Sequence, residues 1–264
     1  MPSFAEWGPR PVDRERANGA RIYDYLLGGS HNFAVDREAA RQLMELNPEA
    51  HKVARSNRQF VVRTVRFCLA SGIDQFLDLG SGVPTVGNVH EIVQAALPTG
   101  RVLYVDYEPI AVEVTRALLR DNDFADVLHA DLRQPECVLG AEKTTRLLDL
   151  SRPVAVLMNA SVHYVPDSAN LPRIFAAYRD AMAPGSYLVF SHLASSAQAG
   201  MRVFNESGTP VTLRDHAEIA ALLQNFDLVP PGLVYVPSWR PDGNETYVDA
   251  PHLSKCYGAV GRRP

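Results

Sequence analysis

The chain has 264 residues, 46% hydrophobic and 21% charged, with a formal net charge of −4. That length supports one large domain, or one domain with a small cap, and the composition excludes extensive disorder. The mixed, slightly acidic charge offers no basic excess for nucleic acid, and no apolar run reaches the ~20 residues of a membrane span, so neither partner is expected.

Met1 to Arg21 is polar, carries both charge signs and lacks the apolar core of a signal peptide. Cys68, Cys137 and Cys256 are widely spaced and odd in number, which suits neither a zinc site nor a disulfide framework. The expectation is therefore a cytoplasmic protein, no metal and a reducing compartment. Residues 1–71 read as a helical cap without a β-branched run. Its expected helices are Ala17 to Leu27, stopped by Gly28-Gly29-Ser30; Asp36 to Leu46; and a third from near Pro48 to Ala70.

Residues 72–264 alternate short apolar runs with helical stretches. Strands are expected at Gln75 to Leu79, Arg101 to Asp106, Asp126 to Ala130, Val154 to Met158 and Tyr187 to His192. Helices are expected at Val86 to Ala96, Pro109 to Asp121, Val138 to Leu148 and Leu171 to Met182. This alternation implies an α/β fold with a parallel sheet covered on both faces. The tail adds a helix from Arg214 to Gln224, then strands Leu233 to Val236 and Tyr257 to Val260, expected to pair as a long-looped hairpin.

The strongest local motif is Phe76-Leu77-Asp78-Leu79-Gly80-Ser81-Gly82: a buried strand, an acid, a Gly-x-Gly turn and a helix. Glycines allow a sharp turn and close approach of a ligand to the main chain, and the following helix start offers unpaired N–H groups. An ordinary tight turn would also account for the pattern. Spacing adds weight to the ligand reading, because Asp78, Asp106, Asp131 and Asn159 end successive strands and so share one sheet edge. Asp106 sits where a carboxylate accepts hydrogen bonds from both hydroxyls of a ribose, and Glu108 could do the same. A dinucleotide site would need a third glycine where Thr85 stands, and Pro84 removes a donor. Asp78 before the turn would repel a pyrophosphate and attract an amino group. A nucleoside carrying a zwitterion fits, as in S-adenosyl-L-methionine.

The chain closely resembles an actinobacterial family of S-adenosylmethionine-dependent methyltransferases long catalogued as a domain of unknown function. The resemblance rests on Ala20 to Gly29, Asn32-Phe33, Asp36-Arg37, Asn57-Arg58, residues 76–85, Asn88 to Glu91, residues 101–106, Ala130 to Arg133, Arg152 to Asp167, Arg179 to His192 and Trp239 to Pro241. It implies a Rossmann-like class I methyltransferase fold, with a seven-stranded, mostly parallel sheet, an antiparallel last strand and an N-terminal helical cap. It also implies that Asp78, Gly80 and Gly82 line the methionine and ribose part and Asp106 holds the ribose. Asp131 and Leu132 would flank the adenine, and Asn159, Ala160 and Ser161 would lie beside the sulfonium and acceptor. Pro84 departs from the third glycine common in class I enzymes.

The cap sequence is unusually polar and aromatic. Arg21, Asp24, Asp36, Asn57, Arg58 and above all Tyr23, Asn32 and Phe33 are expected either to cover the cofactor, an arginine gripping its carboxylate, or to pack the cap. His163 is the expected catalytic group, as a base near neutrality, with a structural histidine as the alternative; His192 is a weaker second choice. The expected function is methyl transfer to an unidentified acceptor, a small molecule by default. A cofactor-binding regulator without turnover and a nicotinamide-dependent oxidoreductase are the alternatives.

Overall fold

The structure, a computed structural model, describes residues 12–243 and 245–264. The first half of the Met1 to Arg21 segment, and with it the start of the expected 1–71 cap, lies outside them. Three helices lead: α1 (Gly19–Leu26), α2 (Ala34–Leu46) and α3 (Ala50–Ala70). The alternating part follows as β1 (Gln75–Leu79), α4 (Val89–Ala96), β2 (Arg101–Asp106), α5 (Pro109–Leu118), β3 (Ala125–His129), α6 (Pro135–Leu139), α7 (Glu142–Leu147), β4 (Ala155–Asn159), α8 (Leu171–Ala181) and β5 (Tyr187–Leu193). Last come α9 (Met201–Glu206), α10 (His216–Leu223), β6 (Asp227–Leu228), β7 (Val234–Tyr235) and β8 (Cys256–Arg262).

The sheet runs β3-β2-β1-β4-β5-β8-β6, and β7 pairs with β8 outside that path. β1 to β5 are parallel, whereas β8 is antiparallel to β5, β6 and β7. The seven-stranded order with an antiparallel last strand is thus present, with a two-residue eighth strand added. The expected pairing of the tail strands forms, through Val234 with Gly258 and Tyr235 with Tyr257, but the main partner of β8 is β5, over seven residues. Strand order reverses between β1 and β4, and Asp78 lies opposite Leu157 there. Ligands of open α/β sheets bind outside the strand ends at such a reversal.

Alternation along the strands divides the core between two faces. Leu77, Leu79, Leu103, Val105, Val156, Met158 and Phe190 pack with Ile174, Phe175 and Tyr178 of α8 and Ile219 of α10. Phe76, Val102, Tyr104, Leu157 and Val189 pack with Phe60, Val61 and Val65 of α3 and Val89 and Val93 of α4. The second half of α3 is therefore a layer helix of the sheet. Its first half joins a smaller cluster of Ile22, Ala39, Ala40, Leu43 and Ala50, which Val203 of α9 completes. The segment after β5 thus closes the cap made by the N-terminal helices. Gly19 N–H donates to Thr209 Oγ1 at 2.7 Å and Gly208 N–H to Ala17 O at 2.8 Å.

Three local expectations change. α4 starts at Val89 instead of Val86, because Asn88 is its cap and takes the Glu91 carboxylate on its N–H at 3.0 Å. The single helix expected from Val138 to Leu148 is two short helices that break at Gly140 and Ala141. A 3-10 turn at Ser195–Gly200 and α9 form where no element is expected. No helix among the described residues is long and apolar enough to cross a membrane.

Candidate active site

Asp78, Asp106 and Asn159 lie at the C-terminal ends of β1, β2 and β4, and Asp131 two residues beyond the end of β3, along one sheet edge. Gly80 has φ +73° and Gly82 +68°. A Cβ on Gly80 would fall 2.5 Å from Ser161 Cβ, so the turn after β1 touches the loop after β4 and only glycine fits. Gly80 N–H donates to Val105 O at 2.8 Å, which fixes the turn against β2.

Asp106 organises this corner. Its Oδ2 accepts from Gly82 N–H at 2.6 Å and its Oδ1 from Glu108 N–H at 2.8 Å. Burial raises its pKa, and the backbone donors of Glu108 and Gly82 pull the other way. Each oxygen still has a lone pair for a further donor. Asp78 is also buried, and no salt bridge among the described residues reaches it. Burial pushes its pKa up to about 7; Arg58 opposes the rise and Asp106 adds to it. The loss of water around the carboxyl, more than any neighbouring charge, is what disfavours its ionised form.

The loop after β4 supplies the other wall. Ala160 adopts a left-handed backbone at φ +50°, and its N–H is bound by Ser191 O at 3.1 Å and Ser191 Oγ at 3.0 Å. Ser191 Oγ donates to Asn57 Oδ1 at 2.7 Å, Asn57 Nδ2 to the Tyr23 hydroxyl at 3.2 Å, and that hydroxyl to Ala54 O at 3.0 Å. This chain ties α1 and α3 to the loop. Seven buried side-chain polar atoms among the described residues have no partner. Five of them, Ser81 Oγ, Asn159 Oδ1 and Nδ2, Ser161 Oγ and His163 Nδ1, belong to the β1 and β4 loops. Buried polar groups are nearly always satisfied, so such a concentration marks a ligand site.

His163 is fully buried beside His192 at 5.5 Å between ring centroids. Burial, with His192 and Arg214 nearby, holds its pKa well below the ordinary histidine value. Arg214 was not foreseen. Its guanidinium donates to Val165 O at 2.9 Å, Asp167 Oδ1 at 2.6 Å and His192 Nε2 at 2.9 Å. Since guanidinium only donates, His192 carries its proton on Nδ1, which donates to Leu193 O at 2.7 Å. His192 is held at about 4 by burial and is a brace for the loop, not a second base. The partners of Arg214 lie 22 to 52 residues away in sequence, so no local pattern discloses it.

Several expected ligand groups are engaged within the protein. Arg21 does not stand free for a carboxylate: it donates to Asp36 Oδ2 at 2.8 Å, Glu108 Oε1 at 2.6 Å and Arg16 O at 2.6 Å. Glu108 also takes Asn18 Nδ2 at 2.9 Å, so it ties Asn18 and Arg21 to the start of α5. Asn32 Nδ2 donates to Asp24 Oδ2 at 2.7 Å and Gly29 O at 3.0 Å. Asp24 in turn takes the Thr85 hydroxyl at 2.7 Å, linking the cap to the β1 loop. Two guanidinium groups approach the Phe33 ring, Arg14 at 5.2 Å and Arg21 at 5.1 Å from its centroid. Both oxygens of Asp131 are held by Arg133, and Leu132 packs beside Gly80. Arg58 remains the cation nearest in effect to Asp78, its Nε bound to Val86 O at 3.0 Å.

A chain with this sheet order, a glycine corner between β1 and β4 and strand-end carboxylates is a class I methyltransferase in fold. A model of the S-adenosyl methyltransferase family matches residues 5–264, and the chain belongs to that family. Its cofactor is accordingly S-adenosyl-L-methionine, and the nicotinamide alternative is set aside. Among solved structures, a proposed methyltransferase of Thermobifida fusca YX is 38% identical with a TM-score of 0.90, over 97% of this chain and 98% of that one. A DUF574 family protein of Streptomyces avermitilis MA-4680 is 35% identical with a TM-score of 0.90, over 96% and 100%. The N-methyltransferase NodS of Bradyrhizobium japonicum WM9, in complex with S-adenosyl-L-homocysteine, is 15% identical with a TM-score of 0.51, over 86% and 97%, a likeness of fold. No curated protein matches the chain.

Proposed function

We propose that the chain transfers the methyl group of S-adenosyl-L-methionine to a small-molecule acceptor at the edge formed by β1, β2, β3 and β4. The observation that carries this reading is the set of five unpartnered polar atoms on Ser81, Asn159, Ser161 and His163, beside the buried carboxylates of Asp78 and Asp106. Each such atom costs on the order of 1–3 kcal/mol when buried alone. A ligand with an ammonium, a carboxylate and two ribose hydroxyls supplies the missing partners. The cofactor brings a methyl group already activated by its sulfonium, so the protein's task is mainly alignment.

In this reading Asp78 holds the ammonium and Asp106 the ribose, while Gly80 and Gly82 let the cofactor approach the backbone. Leu132 covers the adenine, and Asp131, oriented by Arg133, takes its edge. Asn159, Ala160 and Ser161 line the methyl-transfer space. His163 stays neutral at pH 7 and accepts the acceptor's hydrogen bond or proton; its lowered basicity puts the weight on orientation. Tyr23, Asn32 and Phe33 shape the cap of α1, α2, the first half of α3 and α9 beside the cofactor corner. Calorimetry with S-adenosyl-L-homocysteine tests the reading, followed by detection of that product from a panel of O–H, N–H and S–H acceptors. Heat with the homocysteine nucleoside and none with NAD is expected. A flat titration with both removes it.

A further inference from the structure

The outward face of α3 carries His51, Arg55, Arg58 and Val62 at spacings of four, three and four residues, which places them on one side of the helix. This side does not simply face solvent. The end of α1, Met44 of α2 and the Val86-Gly87 corner rise around it to form an open groove of ≈ 720 Å3, within the range of small-ligand sites. Leu26, Met44, Val62 and the exposed Val86 give it apolar walls. No carboxylate lines it. The other large groove, between α5, β3 and α7, mixes Glu113, Asp123 and Asp126 with Arg116, Arg120 and Arg146, so its charges balance.

Arg55 and Arg58 differ in use. Arg58 donates to Val86 O, which holds it against the groove wall, and its charge opposes the burial-driven rise of the Asp78 pKa. Arg55 is exposed and makes no hydrogen bond or ion pair among the described residues. A free guanidinium set among apolar walls, with a second cation and a histidine beside it, matches a carboxylate on an apolar body.

We propose that this groove is a second ligand site, distinct from the methyl-transfer space, that takes an amphipathic organic anion whose carboxylate pairs with Arg55. Apolar contact with Leu26, Met44 and Val62 supplies area, and Arg55 supplies the charge selection. A cationic or neutral ligand of the same shape gains only the apolar contact.

The experiment uses the full chain saturated with S-adenosyl-L-homocysteine, titrated with indole-3-acetate, 4-phenylbutyrate and the amides of both. The acids bind and their amides bind about ten-fold or more weakly, the worth of a charge-assisted hydrogen bond. Arg55→Gln abolishes that preference, and Arg55→Lys restores part of it. Arg55 is exposed, so neither change threatens the fold. Acids binding no better than amides, no binding of any acid, or an unchanged preference in Arg55→Gln overturns the proposal. Equal loss of S-adenosyl-L-homocysteine and acid affinity in Arg55→Gln also overturns it, because the groove would then serve the cofactor. Failure of the wild-type chain to bind S-adenosyl-L-homocysteine is a separate result and strikes the methyltransferase reading itself.

Discussion

Replacing Asp78 by Asn separates the cost of the cofactor corner from its use. The Asp78 carboxyl moves from an ordinary 3.8 to about 7 in the fold, chiefly through burial. The folded state therefore holds the proton more tightly than the unfolded chain, and ligand-free stability falls as pH rises between those values. Above pH 7 the difference corresponds to about 4 kcal/mol at most, from ~1.4 kcal/mol per pH unit. Asn keeps the shape and never ionises. Ligand-free Asp78→Asn should match wild type near pH 4, gain on it steadily up to pH 7 and stay ahead above it. For a domain of this size the gain is several degrees in melting temperature, about 2–4 °C per kcal/mol. The same variant should bind S-adenosyl-L-homocysteine about 10–100-fold more weakly at pH 8, the loss of an ionic hydrogen bond to the ammonium. Thermal melts across pH and calorimetry with the nucleoside check both halves. Melting curves that stay parallel from pH 4 to 8.5, or unchanged affinity, would refute the assignment of Asp78.

Asp106→Ala should weaken S-adenosyl-L-homocysteine by ~1–3 kcal/mol and also lower thermal stability, since Gly82 N–H and Glu108 N–H lose their acceptor; an unaltered titration takes Asp106 out of the site. His163→Ala should leave the affinity for that nucleoside within about two-fold and reduce turnover ten-fold or more, once an acceptor is in hand. Because the His163 pKa is held well below its usual value, the wild-type rate should show no limb from it between pH 6 and 8, and a wild-type rate in the variant would make it structural. Arg21→Met should cost about 3–5 kcal/mol of unfolding free energy, as it leaves the buried Asp36 and Glu108 with hydrogen-bond donors but without their shared cation. Denaturation in urea measures this, and a loss below about 1 kcal/mol would show that the pair is not a latch.

The sheet was legible because each of its first strands is a short apolar run closed by a polar residue. A strand buried on both faces cannot look otherwise, and the acids at 78, 106 and 131 mark its working edge directly. What stayed hidden is pairing at long range. Arg21 reads as a free cation until Glu108, 87 residues on, is found beside it. Arg214 gives no local signal at all. α9 escaped because Met201 to Glu206 offers only Val203 and Phe204 to a core, and their partners belong to α1 and α2. Polar residues of the cap read equally well as ligands or as braces, and the partners that engage Arg21 and Asn32 within the protein are not visible in a local pattern.

The junction of Gly19 with Thr209 spans 190 residues, which bears on how the protein is made. At roughly 5–20 residues per second a ribosome needs on the order of ten to forty seconds between delivering the two. Through that interval Ile22 and Leu43 have no Val203 to cover them. The nascent chain therefore holds a half-built roof while the nucleotide-binding sheet beneath is still being synthesised. The cap beside the glycine corner is complete only once the segment behind β5 has been made.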